Sequence, residues 1–402
     1  MNKNIKLAVA GAVLALSASA ANAGIVIPAG EWTLDVNGNV NAFVNYTHAK
    51  ASGGTVTGGL ASTPTTGPNG DKYIGINTGL LPSWLGFTGT TRQNDVDVSF
   101  TISMQPNVSD NSVAGDGKTP LFRQSFLTFG DKSWGSIKLG KDIGIFASNA
   151  ILNDMTLLGV GGGAANSGAA TTLGGIGTGY IYAGWKGQAT YTTPNFNGFS
   201  ASVGIVNPNM SISSVLANAN QDRFGFEGQA SYAFSADQFS GKVWVGGLSH
   251  DVNISDAANK SFTATAGEIG ATINANGMGL TAYWYDGQGI GTTMLHGYPS
   301  WNSTASTTST AKRSSDGGYI QATYALPTKT KIGLAYGVSN LGMTTGDATT
   351  LVRSNERITL GAYHPLTKHL NLVAEYNNIQ SENQAGQKNE SDTYSAGAIL
   401  FF

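Results

Sequence analysis

The sequence predicts an all-β fold: a transmembrane antiparallel up-and-down β-barrel of about sixteen strands, with short turns at one end and long loops at the other. Three observations carry that expectation. Apolar and polar residues alternate with period two along most of the chain, the connections alternate between short and long, and charge is too scarce for a soluble surface. Charged residues make up 11% of the 402 residues, against about a quarter in an ordinary soluble domain.

Composition narrows the classes further. Apolar residues reach 41% and the net charge is only −2, which excludes a disordered chain. The same balance offers no basic footprint for nucleic acid. With no cysteine there is no disulfide framework, Fe–S cluster or thiolate zinc site. Residues 1–23 read as a secretory signal peptide. Lys3 and Lys6 form the basic start, Leu7 to Ala20 the short apolar stretch, and Ala21-Asn22-Ala23 the small-residue cleavage motif. The apolar stretch is shorter than the ~20 residues a membrane helix needs. The exported part, Gly24 to Phe402, is expected to be one barrel domain.

The first strand sets the pattern. Trp32, Leu34, Val36, Val40, Val44 and Tyr46 fall on one face, and Asp35, Asn37, Asn39, Asn41 and Asn45 on the other, with Phe43 the one exception among the polar positions. Strand side chains alternate faces, so this is a long strand with one greasy side and one wet side. The pattern returns at Val96 to Gln105, Phe199 to Ile205, Phe224 to Phe234, Ile332 to Val338 and Tyr394 to Phe402. Short links such as Gln93-Asn94-Asp95 and Ala275-Asn276-Gly277 alternate with long ones at 48–72, 106–119, 143–179, 207–221, 250–261, 287–316, 341–354 and 380–392. Trp32, Tyr46, Phe87, Phe234, Tyr336, Tyr376 and Phe402 stand where interfacial aromatic girdles belong. A soluble sandwich would use shorter strands, of ~5–6 residues.

Several stretches now add a resemblance. Ser83-Trp84-Leu85-Gly86-Phe87-Thr88-Gly89, Phe122-Arg123-Gln124-Ser125-Phe126, Gly135 to Lys141 and Tyr191 to Phe199 occur in the order found in Gram-negative general porins, and the terminal Phe402 with Tyr394 resembles their outer-membrane assembly signal. The resemblance covers essentially the whole exported chain. It implies a sixteen-stranded homotrimer in the outer membrane, passing small hydrophilic solutes and ions down their gradients. It also implies contact with outer-membrane lipids and lipopolysaccharide, delivery by the outer-membrane assembly machinery, and a third long loop folded into the pore. Here that loop is 142–179, with an apolar stretch, Phe146 to Leu158, suited to a short helix on the inner wall.

Such porins face wall cations toward loop carboxylates across the constriction. Strand parity places Trp84, Thr88, Arg123, Ser125 and Lys186 in the lumen, with Phe126 facing out. Lys141 is pore-lining by resemblance, although its parity with Ile137 and Leu139 points it outward unless Gly140 bulges or the residue sits at the rim. Asn153-Asp154-Met155 resembles the family's Thr-Asp-Met, making Asp154 the expected loop carboxylate. Trp84, Thr88 and Leu158 stand where the family usually carries charge. The expectation is a weakly charged constriction with modest ion selectivity, favouring neutral polar solutes such as amides or sugars. Arg92, Lys138, Lys242, Glu227 and Glu375 are the lumen charges that would instead restore a standard field. Two alternatives remain: a substrate-specific porin, and a non-conducting adhesive barrel.

Other motifs carry no chemistry. Gly159 to Ala164 matches a phosphate-loop spacing without the strand–helix context it needs. Histidines 48, 250, 296, 364 and 369 lack ligand spacing and are expected at surfaces or turns. Ser249-His250-Asp251 are neighbours on a strand, so they point to opposite faces and cannot form a relay. No enzyme, cofactor or metal is expected.

Overall fold

The structure is a computed structural model that describes residues 24–66, 68–108, 121–165, 171–208, 222–254, 260–297, 299–302 and 311–402. The expected signal peptide and the polar run Ser303 to Thr310 lie outside the described residues. So do the outer parts of the second, fourth and fifth long links.

The alternating segments form β1 (Ile25–Ala29), β2 (Trp32–Ser52), β3 (Lys72–Asn77), β4 (Trp84–Gln93), β5 (Val96–Gln105), β6 (Leu121–Asp131), β7 (Gly135–Ile143), β8 (Trp185–Thr192), β9 (Phe199–Val206) and β10 (Gly225–Ser235). The second half continues with β11 (Phe239–Ile254), β12 (Lys260–Ala275), β13 (Met278–Gln288), the two-residue ribs β14 (Trp301–Asn302) and β15 (Ala311–Lys312), β16 (Ser314–Ala325), β17 (Lys331–Leu341), β18 (Val352–Pro365), β19 (Leu370–Asn383) and β20 (Lys388–Phe401). Successive wall strands pair antiparallel. β20 returns to β2, with Asn39 opposite Phe401 and Ser52 opposite Asn389, so the sheet closes as a sixteen-stranded wall. β3 and β4 are two lengths of one wall strand: β2 pairs with β3 over Phe43 to His48 and with β4 over Thr33 to Asn39. β1 folds back along the foot of β2, with Ile25 opposite Val36. The closing seam is tied by Gly38 N–H to the Phe402 carbonyl at 2.8 Å and by Phe402 N–H to the Gly38 carbonyl at 3.0 Å.

Closure answers the chemistry of the outer face. Val40, Val44, Ile74, Ile76, Ile269, Leu334, Leu360 and Leu400 are exposed all around it. A water-soluble monomer does not carry apolar surface on that scale; lipid accepts it provided no backbone edge is left open. Tyr394 also faces out, its ring 5.2 Å from that of Tyr376.

The structure corrects the sequence reading in three places. First, Phe126 faces inward and Ser125 outward. The pairing of β5 with β6 shifts between Ser103 and Met104, opposite Gln124 and Phe122. Arg123 is therefore an extra residue in β6, and a bulge of one residue turns every following side chain to the other face. Phe126 lies opposite inward-facing Thr101 and is buried, while Ser125 and Leu127 are exposed. Second, Lys141 is not in the lumen. β7 keeps an unbroken register with both neighbours through Gly140, so Lys141 stays on the outer face with Leu139, its Nζ donating to the Phe122 carbonyl at 2.9 Å. Third, several strands outrun their expected ends. β2 has 21 residues and β11 and β12 have 16 each, well beyond the ~9–11 that span a bilayer. The eighth long link accordingly shrinks to the four residues between Asn383 and Lys388.

The cysteine-free sequence makes the parity directly measurable. With single cysteines, Gln124→Cys is expected to react with a charged, water-soluble thiol reagent, while Ser125→Cys and Lys141→Cys resist it. The reverse order, read by mass spectrometry, would remove the bulge.

Candidate functional site: the inward loop and the lumen it narrows

The segment between β7 and β8 crosses the inside of the barrel. It opens with α1 (Ser148–Leu152), breaks at Asn153-Asp154, and resumes as a 3-10 turn at Met155–Leu158. Phe146, Ala147, Ala150 and Ile151 are buried together with Trp244, Tyr283 and Tyr319 of the wall. The Tyr319 hydroxyl donates to the Ala150 carbonyl at 2.8 Å. A second cluster seats Met155, Val160 and Ala164 among Phe43, Ala335, Tyr363 and Val373. The aromatic exception in the first strand is thus a seat for the loop.

Irregular backbone at membrane depth needs partners from protein, and the wall supplies them. Glu227 accepts from the amides of Ile145 and Phe146 at 2.6 and 3.0 Å. Glu268 accepts from Ala147 at 3.0 Å. Gln321 accepts from Met155 N–H at 2.8 Å and donates to the Asn153 carbonyl at 2.7 Å. Glu375 accepts from Val160 and Gly161 at 3.1 and 2.8 Å, and Ser339 from Gly179 at 3.0 Å. A hydrogen bond to a charged group is worth about 1.5–3 kcal/mol net, so these contacts together set where the loop lies.

The opposite grip comes from the break between β3 and β4. Asn39 and Asn41 of β2 turn inward and replace the missing ladder: their side-chain amides donate to the Pro82 and Leu81 carbonyls at 2.8 and 3.0 Å, and the Asn41 amide oxygen accepts from Gly79 N–H at 2.9 Å. The freed residues reach into the lumen, where Leu80 N–H donates to the Gly159 carbonyl at 2.9 Å. Contact is backbone to backbone: a Cβ on Gly79 would lie 2.1 Å from the Gly159 oxygen, and one on Gly337 2.1 Å from the Thr178 oxygen.

The residues singled out from sequence fall unevenly around this loop. Asp154 is inside the barrel, but its carboxylate is buried. It accepts from Thr156 and Gly175 amides at 2.9 Å each and from the Tyr180 hydroxyl at 2.7 Å, with Arg357 Nη2 at 3.6 Å. Lys186 also points inward and is buried, 2.5 Å from Glu227. Behind it the histidine expectation fails for His250, which is buried on a strand, whereas His296 lies in a turn but is buried as well. His250 and His296 are fully buried, their rings joined Nδ1 to Nε2 at 2.8 Å, with His250 Nε2 3.2 Å from Glu227. The loop after β13 folds in over the wall and carries His296 with it; burial, and then His250 beside it, hold His296 down at about 3. Asp251 meanwhile lies 3.2 Å from Arg223, away from the buried His250. Trp84 packs with Leu157 and Leu158 on Leu81, Ile399 and Phe401, and donates to Asn37 at 3.1 Å. Thr88 bonds Thr101 across the strand pair at 3.1 Å.

Other charges are also committed. Lys138 pairs with Asp142, Lys242 donates to Asn149 at 2.7 Å, and Arg92 pairs with Asp97 and Asp131 at 2.8 and 2.9 Å. Arg123 differs: its guanidinium lies over the Trp185 ring, 5.9 Å from the centroid, and has no carboxylate partner among the described residues. Arg123, Gln124, Lys138 and Trp185 line one side of a cavity, faced by Ile151, Leu152 and Leu157 of the loop and by Leu80, Leu81 and Pro82. The role of Glu268 and Gln321 as loop anchors went unread in the sequence. Its signal was there: Glu268 and Gln321 are long polar side chains at inward positions, between Ala266 and Gly270 on one strand and next after Tyr319 on the other.

The family model described as Gram-negative porin matches residues 9–384. No curated protein sequence matches the chain. Among solved structures, the outer membrane channel DcaP of Acinetobacter baumannii is 16% identical with a TM-score of 0.70, over 94% of this chain and 100% of its own. OmpF of Salmonella typhi, solved with daunomycin, is 15% identical with a TM-score of 0.58 over 94% and 100%. OmpT of Vibrio cholerae, in a trimer form, is 12% identical with a TM-score of 0.55 over 92% and 99%. At such identities the likeness establishes the fold alone.

The burial of Asp154 has a measurable consequence. Removing one partner of a buried ion pair costs about 3–5 kcal/mol, so Asp154→Ala is expected to raise hydrogen exchange at Thr156 and across Gly175 to Tyr180. Unchanged protection there would mean that the carboxylate faces open water instead.

Proposed function

The chain belongs to the Gram-negative porins, and from that premise we propose that its outer-membrane channel, built for passive diffusion, has a weakly charged constriction that favours neutral polar solutes. The observation that supports this is the commitment of the charges around the inward loop. Glu227, Glu268 and Glu375 accept from loop amides, and Asp154, Asp142 and Lys186 are paired. A paired charge contributes little field to a passing ion, whereas a ring of free charges dominates selectivity. Trp84 and Leu158 add apolar surface where charge would concentrate the field. Arg123, without a carboxylate partner among the described residues, tilts the balance modestly toward anions.

The working unit in this reading is a homotrimer seated among outer-membrane lipids and lipopolysaccharide. Tyr394 and Phe402 at the closing seam serve as the signal read by the assembly machinery, and transport needs no enzymatic step. An adhesive barrel would have no use for a loop latched across its own lumen.

Reversal potentials of reconstituted protein in a KCl gradient test the proposal. The expected permeability ratio lies within about threefold, under about 1 kcal/mol of ionic discrimination. A strong preference for either ion would overturn it.

A further inference from the structure

The cavity between Arg123 and the inward loop combines two features that no passing ion requires. Among the described residues its charged side chains are Arg123, Lys138 and Asp142; two cations against one carboxylate leave these three a net charge of +1. Lys138 is held by Asp142, and Gln124 donates to the same carboxylate at 3.1 Å, so the excess charge resides on Arg123. The bulge of β6 presents Arg123 here, with its guanidinium carbon 5.9 Å from the centroid of the Trp185 ring. The opposing surface is apolar: Ile151, Leu152 and Leu157, with Leu81 beside them. Arg123, Leu152, Leu157 and Trp185 are all partly exposed and line the same cavity.

We propose that this cavity is a binding subsite for monoanionic solutes carrying a compact apolar body, such as aryl or alicyclic carboxylates. A guanidinium presents parallel N–H donors that match a carboxylate in a bidentate manner. The apolar wall opposite removes the solute's body from water. Each half rejects a different competitor. A small hydrated anion gains nothing from the leucines, and a neutral aromatic leaves the guanidinium unanswered. A second carboxylate on the solute meets Asp142 or the apolar wall and lacks a cation of its own. The subsite rests on the open channel proposed above and gives it one solute class that enters by binding rather than by size alone.

Single-channel recording of the purified full-length protein in KCl tests it, with benzoate, benzamide, acetate and terephthalate as probes. Benzoate is expected to produce concentration-dependent interruptions of current at a half-blocking concentration about tenfold below the other three, equivalent to about 1.4 kcal/mol. Arg123→Gln is expected to raise the benzoate value about tenfold, and Leu157→Asn to erase the advantage of benzoate over acetate. Equal block by benzamide would remove the anion from the recognition, and equal block by acetate would remove the apolar body. Either result overturns the subsite, as does a normal KCl conductance that benzoate leaves untouched. Should Arg123→Gln fail to fold, the four-probe comparison on the unaltered protein still decides. Absence of any KCl conductance would instead overturn the channel reading itself.

Discussion

The acceptance of loop amides by wall side chains is the interaction on which the interior depends. A closed barrel satisfies its own backbone and leaves no edge, but a segment that leaves the wall at membrane depth loses that provision. Glu227, Glu268, Gln321 and Glu375 restore it from four different strands. Their spacing fixes the path of α1, the 3-10 turn and the glycine-rich return. Trp244, Tyr283 and Tyr319 then pack against a loop already placed. Apolar contact alone is non-directional and would leave the loop free to slide; the anchored amides give it one register.

This economy explains the low charge content. Glu227, Glu268 and Glu375 on the inner wall serve as acceptors for backbone, and a cationic neighbour, Lys186, lies beside Glu227. The outer face admits few charges because lipid penalises them, and Lys141 there reaches the Phe122 carbonyl. Scarcity of charge outside and commitment of charge inside are the ground for the weak field proposed above.

The wall was readable from the sequence because period two is a local property. Val40, Val44 and Tyr46 announce one face without help from any distant residue. Bulges and breaks are not local in that way. Nothing in Phe122-Arg123-Gln124 marks an extra residue until β5 is laid beside it, so parity carried across that point misplaced Phe126 and Ser125. The wall strand that starts at Lys72 breaks at Gly79 to Pro82, and the break lets Leu80 meet Gly159 across the lumen. Asp154 was legible as the notable loop carboxylate, yet its burial follows from Gly175 and Tyr180, 21 and 26 residues on, and from Arg357 on a distant strand. His250 and His296 were opaque for the same reason, since their contact requires the loop after β13 to fold inward.

The central claim is that side chains of the wall, and not the loop's own stiffness, hold the loop across the lumen. The most direct measurement is single-channel conductance of the double variant Gln321→Ala, Glu375→Ala against the unaltered protein. These two residues anchor the loop at Met155 and at Val160-Gly161 without being the ion-pair partner of a lysine. A larger mean conductance with open-state fluctuations is the result predicted here. Conductance and noise that both remain unchanged would contradict it.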